Sequence, residues 1–88
     1  MSSRQAIASR FDALAPERDG WKRKNQYYYA AIERLCTSLI PPGKTVLELG
    51  CGTGDLLAAV KPSLGMGLDI SRGMLCVARK KYPHLLFV

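Results

Sequence analysis

VLELGCGTGDLL, residues 46–57, places three glycines at alternate positions between two apolar runs: Gly50, Gly52 and Gly54. A sharp turn from a buried strand into a helix favours glycine, because glycine adopts positive φ angles and leaves the backbone open to a ligand. The start of a helix also presents unpaired N–H groups at such a turn. The stretch therefore predicts a strand, a ligand-binding loop and a helix. A tight turn without a ligand is the alternative.

The rest of the second half continues this alternation. Short apolar runs at 45–49, 64–69 and 85–88 predict three strands, and helical patterns over 56–60 and 71–82 lie between them. Pro62 and Pro83 end the two helices, and Ser71 is a candidate N-cap. Strands that alternate with helices indicate right-handed crossovers and a parallel sheet. We therefore predict an α/β fold.

Two helices are predicted before the first strand. Apolar residues recur at helical spacing over 4–15, where Pro16 is expected to end the helix, and again over 21–39. The sequence thus divides into an N-terminal helical segment, 1–44, and an α/β segment, 45–88. The two helices are expected to help cover the sheet.

Composition limits the classes of function. Thirteen Lys and Arg against seven Asp and Glu give a net charge of +6, but the basic clusters are short and lie at helix ends. Such clusters are more typical of solvated surfaces than of RNA or lipid binding. The three cysteines form no C-x-x-C pair and His84 is the only histidine, so no metal site is predicted. Neither a signal peptide nor a membrane span is expected, and the predicted location is the cytoplasm.

Two details narrow the class of ligand. The G-x-G-x-x-G fingerprint of dinucleotide binding needs a third glycine where Asp55 stands, and no phosphate-loop lysine follows the glycines. Asp69 ends the second predicted strand, where a carboxylate can accept hydrogen bonds from ribose hydroxyls. Turn formation is the alternative role for Asp69. Together the details indicate a nucleoside rather than a pyrophosphate.

These residues resemble the first two motifs of the class I S-adenosylmethionine-dependent methyltransferases. The acidic residue of the first strand is Glu48, the glycine loop is GCGTG, and the acidic residue of the second strand is Asp69. The resemblance covers about half the chain and implies a Rossmann-like, three-layer parallel sheet that begins β-α-β-α-β. It also implies methyl transfer to an acceptor that the sequence does not identify: a small molecule, a lipid precursor, RNA or a protein.

The resemblance further implies a role for each site residue. The backbone of the loop would hold the methionine half of S-adenosylmethionine, Glu48 its ammonium group, Asp69 the ribose and Ile70 the adenine. The loop residues in question are Gly50, Cys51, Gly52, Thr53 and Gly54. For Glu48, capping of loop amides is the alternative. No catalytic residue is predicted.

The sequence departs from the family in extent. The family's sheet has seven strands, whereas only three are predicted here, and the elements that bind the acceptor would follow residue 88. We therefore expect the 88-residue chain alone to be inactive, with a C-terminal half or an oligomeric partner covering the exposed edge of the first strand. A nicotinamide-dependent oxidoreductase and a non-catalytic nucleoside-binding or interaction module remain as alternatives.

The aromatic and basic residues of the second predicted helix could form a lid over the cofactor. The candidates are Trp21, Lys24, Tyr27 and Tyr28. In the alternative, which we favour, Tyr28 packs on the sheet with Ile32 and Leu35 while Tyr27 and Tyr29 stay half-exposed.

Overall fold

A computed structural model describes residues 3–88. These residues form four helices and three strands, and after residue 44 the three strands alternate with two of the helices as predicted. In chain order they are α1 (Ser3–Lys24), α2 (Gln26–Leu39), β1 (Thr45–Leu49), α3 (Asp55–Ala59), β2 (Leu64–Leu68), α4 (Arg72–Lys81) and β3 (Leu86–Phe87). The strands are parallel and lie in the order β1-β2-β3. The β-α-β-α-β order and the parallel sheet confirm the predicted fold class.

Local signals set the bounds of α4. The Ser71 hydroxyl accepts a hydrogen bond from the Met74 amide at 3.1 Å, which caps the first turn as predicted. Three basic residues, Arg79, Lys80 and Lys81, occupy the last turn, where they complement the negative end of the helix dipole. The helix ends one residue before Tyr82, and Pro83 follows.

The prediction that Pro16 ends the first helix is wrong. Helix α1 continues through Pro16 to Lys24, and the break falls at Asn25, whose side-chain amide donates to the Trp21 carbonyl at 2.9 Å. Packing explains the difference, because Ala15 is buried and lies against Gly73 of α4. Tertiary contact therefore outweighs the loss of one backbone hydrogen bond at the proline.

Within residues 3–88, no helix is both long and apolar enough to cross a membrane.

The core lies between α3, α4 and one face of the sheet. Its buried members are Cys51, Leu57, Leu75, Ala78, Leu85 and Phe87. Gly67 of β2 permits this packing, because a Cβ there would lie 2.6 Å from the Cys51 sulfur. The backbone of the sheet and the glycine loop thus approach closely, and the loop is held directly above the end of the sheet.

The opposite face of the sheet is apolar and exposed. The parallel register places Leu47 beside Met66 and Leu86, so these side chains point to the same side. Five aliphatic residues of this face are about half or more exposed: Leu47, Leu49, Leu64, Leu86 and Val88. We call them the open sheet face. The expectation that the N-terminal helices help cover the sheet is wrong for this face, because α1 packs against α4 instead.

Candidate functional site

The glycine loop connects β1 to α3 and contains two kinds of glycine. Gly50, Gly52 and Gly54 all have positive φ angles, of 71°, 56° and 86°. A Cβ on Gly50 or Gly52 would meet no atom within 4 Å, whereas on Gly54 it would lie 2.8 Å from the Phe87 ring. The space beside the first two glycines is therefore open to a ligand. Gly54 packs closely on Phe87, which lets the loop lie against β3.

The two side chains of the loop, Cys51 and Thr53, are buried. Cys51 is buried beneath the loop against Gly67, and burial raises the pKa of its thiol to about 11. The Thr53 side chain is buried as well, and its hydroxyl lies 3.3 Å from an Asp19 carboxylate oxygen on α1. Neither side chain is therefore exposed for contact with a ligand.

Glu48 brings a carboxylate into the site from the end of β1. Its Oε1 is buried and has no hydrogen-bond partner. Burial raises the pKa of this carboxyl, and the nearby Leu57 amide and Lys22 ammonium offset only part of that effect. The Leu57 amide belongs to the first turn of α3, so the capping role considered for Glu48 is present in part. The unpartnered oxygen remains available to a donor.

Asp69 joins the loop to the start of α4. Its Oδ2 accepts from the Gly52 amide at 2.8 Å and its Oδ1 accepts from the Ser71 amide at 2.9 Å. Each carboxylate oxygen has two lone pairs, so both oxygens keep one acceptor position. The structure thus brings Asp69 to the glycine loop and also gives it the turn role. Ile70, the next residue, is 42% exposed.

Helices α1 and α2 close the other side of the site. A cavity of about 180 Å³ lies between them and the glycine loop. The helices contribute Arg18, Lys22, Tyr29, Ile32 and Glu33, and the strand and loop contribute Glu48, Gly50, Cys51, Gly52, Thr53 and Leu56. We call this the loop cavity. Of the predicted lid residues none lines it, and Tyr27 and Tyr28 are 85% and 63% exposed, so Tyr28 does not pack on the sheet either.

Sequence reasoning therefore missed the residues of α1 that face the loop. Arg18 and Lys22 lie one helical turn apart, and the same stripe continues to Tyr29 across the break between α1 and α2. This spacing was a signal in the sequence. The sequence alone does not connect Arg18 with Lys22 and Tyr29, because the prediction ends the first helix at Pro16 and places Arg18 outside both predicted helices.

Asp55 stabilises the region without facing the open space. Its carboxylate lies 2.7 Å from Lys22 and 2.6 Å from Lys81, and it accepts from the Tyr82 hydroxyl at 2.6 Å. Burial alone would raise the pKa of Asp55, but these three donors outweigh it and lower the pKa to about 2. The carboxylate therefore joins α1, α3 and α4 through charge-assisted hydrogen bonds.

Comparison with known proteins gives the following relatives. Residues 31–82 match the family model "MetW: Methionine biosynthesis protein MetW". The demethylmenaquinone methyltransferase of Chlorobaculum tepidum is 32% identical over 98% of this chain and 40% of its own length. The ubiquinone/menaquinone biosynthesis C-methyltransferase UbiE of Campylobacter jejuni is 26% identical over 100% of this chain and 44% of its own. The chain therefore spans about two-fifths of these curated relatives.

Two solved structures share the fold. One is the complex between the Haloferax volcanii Trm112 methyltransferase activator and the putative methyltransferase, with a TM-score of 0.68 and 31% identity over 89% of this chain and 37% of the matched one. The other is a TehB-like S-adenosylmethionine-dependent methyltransferase from Corynebacterium glutamicum, with a TM-score of 0.55 and 20% identity over 83% and 45% of the two chains. At 20% identity, the second supports the fold alone.

Proposed function

Because this chain belongs to the family of the MetW model, and with it to the class I S-adenosylmethionine-dependent methyltransferases, we propose that it forms the cofactor-binding part of a methyltransferase. The proposal rests on one observation above all. The open space beside Gly50 and Gly52 belongs to a cavity that Glu48 also lines, and one oxygen of the Glu48 carboxylate is buried without a hydrogen-bond partner. A ligand that lies along bare main chain and presents a cation to that oxygen fits this arrangement.

The residues present fit S-adenosylmethionine on chemical grounds. The main chain of Gly50 and Gly52, with the backbones of Cys51 and Thr53, would hold the methionine half, while Glu48 would accept from its ammonium group. Asp69 would use its remaining lone pairs for the ribose hydroxyls, and Ile70 would contact the adenine. The cofactor would supply a methyl group on a sulfonium, and the neutral thioether that remains after transfer is a good leaving group. Gly54 would act indirectly by keeping the loop against Phe87.

A dinucleotide fits the same site less well. Asp55 occupies the position of the third glycine in the nicotinamide fingerprint, and its carboxylate is committed to Lys22, Lys81 and Tyr82. Glu48 adds a second negative group where a pyrophosphate would have to approach. The carboxylates at these two positions therefore disfavour a pyrophosphate at the glycine loop.

The proposal also assigns a separate role to each segment of the chain. Residues 45–88 would provide the first half of the cofactor-binding domain, and residues 1–44 would form the wall or lid over the loop. The methyl acceptor and the residues that orient it would be contributed by further polypeptide, as would the cover of β1 and the open sheet face. A cytoplasmic location suits the three free cysteines.

Nuclear magnetic resonance titration of the ¹⁵N-labelled chain tests the proposal. S-adenosylhomocysteine, the demethylated product, is expected to shift the amide signals of Gly50, Gly52 and their neighbours, and NADH is expected to leave them unchanged. Glu48→Gln should weaken binding about tenfold, since a charge-assisted hydrogen bond is lost. Glu17→Gln removes the same charge from α1 outside the loop cavity and is the matched control. Binding of NADH with none of S-adenosylhomocysteine would overturn the proposed function.

A further inference from the structure

The loop cavity contains a cation that the proposed function does not use. Arg18 of α1 is half-buried and lines the cavity opposite the glycine loop. Among residues 3–88 it forms no ion pair. Lys22, the other cation lining the cavity, is already paired with Asp55 at 2.7 Å. Arg18 is therefore the cation in this cavity that is free to bind an anion.

Two aromatic rings hold the Arg18 guanidinium in place. Its central carbon lies 5.1 Å from the centroid of Trp21 and 5.6 Å from that of Tyr29. Contacts with ring faces stabilise the cation but use none of its N–H groups as hydrogen-bond donors to oxygen. A guanidinium positioned in this way can still donate two parallel hydrogen bonds to one carboxylate.

The cavity thus combines an unpaired cation on α1 with an unpartnered carboxylate oxygen on β1. An α-amino acid group carries the complementary pair of charges, an ammonium and a carboxylate. The volume of about 180 Å³ also suits part of a ligand rather than a whole nucleoside derivative. We propose that Arg18 binds the α-carboxylate of the methionine moiety while Glu48 binds its ammonium group. This inference rests on the proposed function, because it concerns the same ligand.

The carboxylate can be tested apart from the rest of the ligand. Binding of S-adenosylhomocysteine is compared with binding of its decarboxylated analogue, which keeps the amine, the thioether and the adenosine. The wild-type chain is expected to prefer S-adenosylhomocysteine by about tenfold or more, the range of a charge-assisted bidentate contact. Arg18→Gln should weaken S-adenosylhomocysteine to the level of the analogue and leave affinity for the analogue unchanged. Arg18→Lys should restore part of the preference.

The ratio of the two affinities separates this role from a structural one. If Arg18→Gln merely displaced α1 or the Trp21 ring, both ligands would weaken together and the preference would survive, which would overturn the inference. Arg23→Gln removes the same charge from an exposed position of α1 outside the loop cavity, and it should keep the wild-type preference. A wild-type chain that binds both ligands equally would also overturn the inference, while the proposed function would stand. Binding of neither ligand would overturn both.

Discussion

The open sheet face should make the 88-residue chain associate with itself. Full burial of a leucine or valine side chain is worth roughly 2 kcal/mol. The five residues Leu47, Leu49, Leu64, Leu86 and Val88 are on average about 60% exposed. Covering them would therefore contribute about 6 kcal/mol per copy, or about 12 kcal/mol when two faces pack together. Association costs of roughly 4–15 kcal/mol oppose this gain, so the expected self-association is weak and depends on concentration.

Two lysines on the face should abolish this association. Leu47→Lys with Leu86→Lys removes about a third of the exposed fraction of the five side chains. The loss is about 2 kcal/mol per copy and about 4 kcal/mol per pair, which corresponds to about a thousandfold weaker association. Both positions are exposed on the surface of the folded chain, so the fold itself should tolerate the change.

Sedimentation velocity over a range of concentrations measures the effect, with fluorescence of an anilinonaphthalene dye as a second reading of exposed apolar surface. Tyr27→Lys with Tyr28→Lys adds the same charge at exposed positions of α2 and is the control. A wild-type chain that stays monomeric at high concentration and does not bind the dye would refute the reasoning. Equal loss of association in the control would show that net charge, rather than the sheet face, is responsible.

Three further predictions concern the site and its support. Asp55→Asn should lower the free energy of unfolding by about 2 kcal/mol at neutral pH, because the folded-state pKa of Asp55 is about 2 against an ordinary 3.8. That stabilisation is fully present above pH 3.8 and is lost as the pH falls towards 2. Urea unfolding of the parent and the Asp55→Asn variant, both carrying Leu47→Lys/Leu86→Lys, should therefore give free energies of unfolding that converge at low pH. A difference that persists there would contradict the lowered pKa of Asp55. Gly54→Ala should destabilise the fold by about 2 kcal/mol or more, since the new Cβ meets Phe87, whereas Gly52→Ala should cost about 1 kcal/mol for its positive φ and weaken S-adenosylhomocysteine binding. Similar unfolding and binding effects from both alanines would remove the distinction between the two glycines. Cys51 should resist alkylation by iodoacetamide at pH 8, because burial raises its pKa to about 11, whereas the exposed Cys76 should react. Mass spectrometry of the digested protein measures the modification of both cysteines. Modification of Cys51 in the folded protein would be inconsistent with a buried thiol.

The α/β half of the fold was predictable because its signals are local. Strand β1 lies between turn residues, and Ser71 caps α4 through its own side chain. The N-terminal half was not predictable to the same degree, because the course of α1 past Pro16 depends on packing against Gly73, 57 positions along the chain. The site also combines features set by local sequence with features set by tertiary packing. The glycine loop and its two carboxylates are read from sequence, whereas Arg18 reaches the loop cavity only through tertiary structure.

A chain of hydrogen bonds makes the position of α1 inseparable from that of the glycine loop. Asp12 on α1 accepts from the Ser71 hydroxyl at 2.5 Å and from the Gly73 amide at 2.8 Å. The Ser71 amide in turn donates to Asp69, and the other oxygen of Asp69 accepts from Gly52. Because the carboxylate that would bind the ribose also fixes both the loop and the start of α4, any shift of α1 is transmitted to the loop amides. We therefore expect α1 to form a fixed wall of the site rather than a lid that opens independently.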